Sequence, residues 1–227
     1  MLQGLLALGF ISLLSACSIQ PKTPLFSASG FVTDGGVIRL WRLNDPNGEP
    51  QVIMSVYSPY LNKNTTVTFY EYRHGSLWQI HRNVLDSLPA EKTSIAKESI
   101  AETLRIDQDN AVIFKLRKLK EHNELLSDDE VDRLRSDAKS IEETSDTLIA
   151  EKVKLFQGHW WNGQVTTCSG KTLIIDFDVH AQTWLKERQN NSLAPLTIAW
   201  LDSPEGKQLL LVANDDFCRW EPTKDKL

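Results

Sequence analysis

The sequence has no stretch long and apolar enough to span a bilayer. Its longest apolar run, Leu5 to Leu14, is half the length of about 20 residues that a transmembrane helix needs. Nor does it carry an excess of positive charge. With 25 bases against 30 acids and a net charge of −5, it offers no electrostatic footprint for nucleic acid. Histidine is sparse: none of His74, His81, His122, His159 and His180 lies within four residues of another, so no local metal-binding pair is present. The signatures G-x-S-x-G and H-E-x-x-H and the Gly-rich phosphate loop are all missing. No reaction is legible, and no cofactor or resident metal is expected.

What the N-terminus does contain is Leu14-Ser15-Ala16-Cys17 directly after the apolar run. The run is too short to cross a membrane but suits the core of a signal peptide, and small residues at 15 and 16 let a peptidase close on the backbone. Cys17 then reads as the acylated first residue of a bacterial lipoprotein, although Met1 to Gly4 lacks Lys and Arg. Several acyl chains, at about 0.8 kcal/mol per buried methylene, anchor a protein durably. Ser18 at the next position, where Asp usually signals inner-membrane retention, favours the outer membrane and its periplasmic face. Ser18 to Pro24 contains two prolines, which keep it extended. At about 3.1 Å per residue it would hold the domain roughly 30 Å from the lipid.

The sequence has three cysteines. With Cys17 acylated, Cys168 and Cys218 remain, in a compartment that oxidises thiols and without metal-ligand spacing. A structural Cys168–Cys218 disulfide is expected. Closing a loop of about 50 residues is worth roughly 4 kcal/mol in the chain-entropy model.

The predicted organisation is a signal peptide over 1–16, the lipidated Cys and tether over 17–27, and one globular domain over 28–227. Its fold class is α+β, mainly an antiparallel β meander with one long amphipathic helix packed on the sheet and a strand-rich C-terminal region. Over 28–119, strands are predicted at 30–32, 37–43, 51–57, 65–73, 77–85, 103–106 and 112–116. Turns at Asp34-Gly35-Gly36, Asn44 to Gly48, Asn62-Lys63-Asn64, His74-Gly75 and Asp107 to Asn110 separate them. In the second strand Ile38, Leu40 and Arg42 share one face and Arg39, Trp41 and Leu43 the other. Residues 89–99 tolerate a helix. Over 127–150 the pattern changes: Ser127-Asp128-Asp129-Glu130 is a capping box, followed by Val131, Leu134, Ala138, Ile141, Ser145 and Leu148 along one helical face. The region 153–221 reads as strands at 153–156, 160–168, 171–177, 196–201 and 208–212, with a short helix near 180–188.

Few residues suggest chemistry. As a strand, Ile174 to His180 would place Asp176, Asp178 and His180 on one face, a weak polar cluster for a cation or acid–base work or simply a solvated face. Lys115, Arg117, Lys118 and Lys120 form a basic run at a strand end, a site for lipid phosphate or a glycan carboxylate or an ordinary solvated edge. The adjacent Trp160 and Trp161, between glycines, place at least one indole on a less buried side, as a candidate surface contact for a glycan, an apolar ligand or a partner.

Several segments together resemble the YjaH-like family of uncharacterised envelope proteins of Gram-negative bacteria. These are Leu25 to Gly30, Met54 to Tyr57, Val165 to Cys168, Ala199-Trp200-Leu201, Pro204-Glu205-Gly206, Leu210 to Asn214 and Phe217 to Trp220. The resemblance covers nearly all of the chain beyond the signal and implies one coherent domain and a periplasmic location. The family has no assigned reaction, so the resemblance carries over no site.

The expected function is that of a non-enzymatic, monomeric outer-membrane lipoprotein acting as an interaction or binding module. Its partner would be an envelope protein, a glycan or a lipid. A carrier of an apolar ligand is the alternative, and a hydrolase or metal-dependent enzyme using Asp176, Asp178 and His180 a further one. Replacement Cys17→Ala is expected to block processing, abolish labelling by a palmitate analogue and release the protein from the membrane fraction. Equal labelling of wild type and variant would remove the lipoprotein assignment.

Overall fold

The computed structural model describes residues 23–61, 64–85 and 101–227. The signal segment, Cys17, the tether as far as Lys22, Asn62-Lys63 and the helix-tolerant stretch 89–99 lie outside the described residues.

Strands β1 (Phe26–Thr33), β2 (Gly36–Asn44), β3 (Pro50–Pro59), β4 (Thr65–Arg73), β5 (Ser76–Leu85), β6 (Ala101–Ile106), β7 (Val112–Lys118) and β8 (Asn123–Glu124) lie side by side in chain order. Every neighbouring pair is antiparallel. This is the expected meander, and β1 starts at Phe26, inside the stretch read as tether. Helix α1 (Asp128–Ala150) follows, with Ser127 and Glu130 forming the reciprocal capping box. The Ser127 hydroxyl accepts from the Glu130 N–H, while the Glu130 carboxylate accepts from the Ser127 N–H. Two N–H groups that the helix cannot satisfy are thereby satisfied.

The C-terminal region forms a second sheet. Strands β9 (Lys154–Trp161), β10 (Gln164–Thr167), β11 (Thr172–Leu173), β12 (Leu196–Ser203) and β13 (Gly206–Ala213) are ordered β11-β10-β9-β12-β13. Helix α2 (Val179–Asn190) and a 3₁₀ turn, Phe217–Trp220, complete the fold. Three expected strands differ from those observed, and the first, expected over 153–156, runs on unbroken to Trp161 as β9. The segment read as one strand over 160–168 is divided by a turn at Asn162 and Gly163, whose φ values are 48° and 84°. Those are the left-handed conformations that a tight hairpin turn demands. The strand expected over 171–177 stops at Leu173, because Asp178 caps α2 by accepting the Ala181 N–H at 2.8 Å.

The molecule has four layers: α1, large sheet, small sheet, α2. On one face of the large sheet Leu40, Ile53, Tyr70, Ile80 and Leu104 pack against Val131, Leu134, Ala138 and Ile141 of α1. On the other face Val37, Trp41, Met54, Val56 and Val67 meet Leu155, Ala199, Leu201, Leu210 and Phe217. The outer face of the small sheet, with Trp160, Leu196, Ile198 and Trp200, packs on Ala181 and Leu185 of α2. Each large aliphatic side chain so buried contributes about 1.5–3 kcal/mol. Gly30 permits the close stacking of the sheets, since a Cβ there would lie 2.8 Å from the Ile38 carbonyl oxygen and 3.2 Å from Leu210 Cδ2.

A cation sits between the sheets. Arg39 is 1% exposed; its Nη1 donates to Gln157 Oε1 at 2.6 Å and its Nη2 to Ser58 Oγ at 3.1 Å. The guanidinium lies 4.5 Å from the centre of the Phe217 ring. Burial pulls its pKa down to about 10, a shift that the charge of Glu221 partly opposes, so it stays ionised near neutrality. Gln157 passes the interaction on, with Nε2 donating to Glu221 Oε2 at 2.9 Å.

Leu134→Ala should cost about 2–5 kcal/mol by leaving a cavity under α1, whereas Glu143→Ala on the outer face should cost less than about 0.5 kcal/mol; urea melts separate the two. Gln157→Leu should cost about 3 kcal/mol or more, because it strands a buried charge. Arg39→Met removes that charge and keeps most of its volume, so it should stay within about 1 kcal/mol of wild type. Equal losses for these last two variants would show that the guanidinium itself supplies the stability.

Candidate functional site

Helix α1 covers only part of its sheet face. Beyond Ile141 the face continues into an open groove of about 370 Å³, walled on one side by Asp137, Ser140 and Ile141. Its floor is built by alternation. On β1, β2, β3 and β4 the residues pointing to the α1 side are Phe31 and Thr33, Ile38, Ser55 and Tyr57, and Thr66, Thr68 and Tyr70. Six hydroxyl-bearing side chains and three aromatic rings therefore share the floor, and Ser140 adds a seventh hydroxyl from the wall. Burial raises the pKa of the Tyr70 hydroxyl, so it remains protonated and able to donate.

Arg82 closes one end of the groove. Its Nε donates to Thr68 Oγ1 at 3.3 Å and its Nη2 to Asp137 Oδ2 at 2.9 Å, tying sheet to helix. Behind it lies a charged cleft formed by Arg82, Glu102, Arg117, Glu130, Arg133 and Asp137. Arg117 is held by Glu102, Glu124 and Glu130 at 2.8, 2.8 and 2.6 Å, and hydrogen bonds to these carboxylates, Glu124 first, raise its pKa. Glu130 is pushed down to about 2, chiefly by the Ser127 backbone hydrogen bond and then by Arg117. Lys115 pairs with Asp128 at 2.5 Å. Half of the basic run thus fastens the N-terminus of α1 to the sheet edge, and Lys118 and Lys120 are left on the solvent-exposed rim.

The residues singled out from sequence are scattered. Cys168 and Cys218 are bonded, with Cα atoms 5.2 Å apart. Trp160 is 3% exposed and packs beside Phe177, so it is core and is withdrawn as a surface contact. Trp161, on the opposite face of β9, is 42% exposed. The Asp176, Asp178 and His180 alternation does not exist, because this segment is a helix lead-in; Asp178 is committed to its cap and His180 lies in the first turn of α2. Among the described residues, a different group brings its ligand atoms within 4.8 Å of one another: His159, Asp216 and Cys218. Sequence reasoning missed this group and the groove. The groove draws on five strands and a helix, so no local spacing announces it. For the triplet the only signal was Asp216 two residues before a cysteine.

Among the described residues, no helix is long and apolar enough to cross a membrane. No solved structure matches the chain. An uncharacterized protein of Escherichia coli (strain K12), YjaH, is 36% identical over 214 residues, which cover 93% of this chain and 87% of that protein. A family model described as a protein of unknown function, DUF1481, matches residues 28–223, from the second residue past the start of β1 to beyond the 3₁₀ turn. The chain belongs to the DUF1481 family.

Proposed function

We propose that this is a lipid-anchored, non-enzymatic binding module of the periplasmic face of the outer membrane, and that it holds a hydroxyl-rich ligand, a glycan chain, in the groove beside α1. One observation carries the reading: the groove combines Phe31, Tyr57 and Tyr70 with the hydroxyls of Thr33, Ser55, Thr66, Thr68 and Ser140 around a single Arg82–Asp137 pair. Aromatic faces take the apolar side of a sugar ring. Hydroxyls, each both donor and acceptor, meet its rim. A groove open along its length, with Arg82 across one end, suits the terminal sugars of a chain rather than an enclosed small molecule. The anchoring half of the proposal rests on Cys17 and the apolar run before it, and the non-enzymatic half is supported by the commitment of Asp178 to the cap of α2, which takes it out of the cluster read with Asp176 and His180.

Saturation-transfer NMR on the full chain in detergent, with soluble fragments of cell-wall and outer-membrane glycans, tests the reading. At least one fragment should bind, and Tyr57→Ala should weaken it by at least about tenfold, as expected for loss of an aromatic anchor. The melting midpoint of the variant, measured beside wild type, keeps the two effects apart. Failure of every fragment, or undiminished binding by a folded Tyr57→Ala chain, would overturn the proposal.

A further inference from the structure

The His159, Asp216 and Cys218 group lies on the far side of the large sheet from the groove, and it sits on a disulfide. Three pieces of chain meet there, each held by contacts other than the sulfur bond. His159 is fixed in β9 by pairing with Thr166 of β10 and Thr197 of β12. Cys168 follows β10 directly, its N–H donating to the Gln157 carbonyl at 3.0 Å. Cys218 rides on the 3₁₀ turn whose N-cap is Asp216, and Asp216 Oδ1 accepts the Cys218 N–H at 3.0 Å. The same Oδ1 lies 3.1 Å from His159 Nε2.

We propose that in the dithiol form of the chain Cys168, Cys218, His159 and Asp216 bind one zinc ion. Two thiolates, an imidazole and a carboxylate make a four-ligand set of the kind zinc accepts in tetrahedral geometry. Thiolates and imidazole also select zinc over the harder calcium and magnesium ions. Ligand atoms about 2.0–2.3 Å from a tetrahedral zinc stand roughly 3.3–3.8 Å apart. The His159 and Asp216 atoms, 3.1 Å apart, are slightly closer than that and need only part by a few tenths of an ångström. The Cys218 sulfur lies within 4.8 Å of both, and the Cys168 sulfur is one bond further on. Side-chain rotation closes the remainder. The histidine and aspartate side chains are 35% and 60% exposed, so the ion reaches them from solvent.

The chain has its dithiol form before its disulfide is made, so zinc entry then needs no reductant: the two S–H protons pass to solvent as the thiolates bind. Later closure of the Cys168–Cys218 bond gives two electrons to a disulfide-bearing oxidant, whose sulfurs take up two protons, and the zinc ion leaves. In the closed form the sulfurs are consumed, the His159 ring keeps its contact with Asp216, and Asp216 also accepts the Cys218 N–H.

The test is cobalt titration of the full chain in detergent, reduced with a phosphine or left oxidised. The reduced chain should bind one cobalt ion with a thiolate-to-metal charge-transfer band and tetrahedral visible bands, both erased by zinc, and zinc should slow alkylation of the two thiols. The oxidised chain should show neither. His159→Gln and Asp216→Asn should each weaken cobalt binding to the reduced chain at least about tenfold, since even groups outside the ligand shell act on that scale. Both variants should still close the disulfide. Absence of the charge-transfer band in the reduced chain, folded or not, would overturn the proposal. So would binding by both variants as tight as wild type, which would leave a bare dithiol.

Discussion

Strand β2 is buried on both faces, and every other layer is stacked on that fact. Its pattern leaves only Ile38 and Leu43 partly exposed in nine residues. Val37 and Trp41 face the small sheet, whereas Leu40 faces α1. Even its two arginines follow the alternation. Arg39 reaches Gln157 in one neighbouring layer, and Arg42 reaches Asp146 of α1 at 2.5 Å in the other. A strand buried on both sides has no solvent face to slip onto, so its register is fixed, and the strands paired to it inherit that register.

That double burial was half legible in the sequence. The faces of Ile38, Leu40 and Arg42 against Arg39, Trp41 and Leu43 were readable from period alone, as was α1 from its capping box and its spacing of three and four. Hairpins announced themselves through Asp34-Gly35, His74-Gly75 and Asp107 to Asn110. What period cannot reveal is which layer covers a face. Arg39 on an inward face says that something polar must come to meet it, but Gln157 is 118 residues away. The same holds for the groove, whose wall at Asp137 meets a floor starting at Phe31.

The misread segment shows a competition between two local signals. Ile174 to His180 alternates perfectly for a strand, yet Asp178 followed by Val179-His180-Ala181 is an N-cap sequence, and the cap prevailed. A capped helix satisfies an N–H that an edge strand after Leu173 would leave to solvent, and it carries Ala181 and Leu185 into the core with Trp160 and Trp200. At Asn162-Gly163 the turn residues prevail over continued strand, and β9 and β10 meet in a hairpin.

The disulfide gains its significance from the turn that carries it. Phe217, next to Cys218, stacks its ring on the Arg39 guanidinium, and Gln157 holds Arg39 with its side chain and Cys168 with its carbonyl. The sulfur bond, the buried cation and the intersheet core are thus one connected structure rather than three. A surface disulfide would restrain only the unfolded chain. Here it also keeps Phe217 over a charge whose acidic neighbour, Glu221, is reached through Gln157. Loosening the turn would leave that charge facing a thinner apolar lid, and in low-dielectric surroundings a buried cation that loses part of its shield is costly. The chemistry at His159 and Asp216 is therefore coupled to the packing between the sheets through the backbone of a four-residue turn.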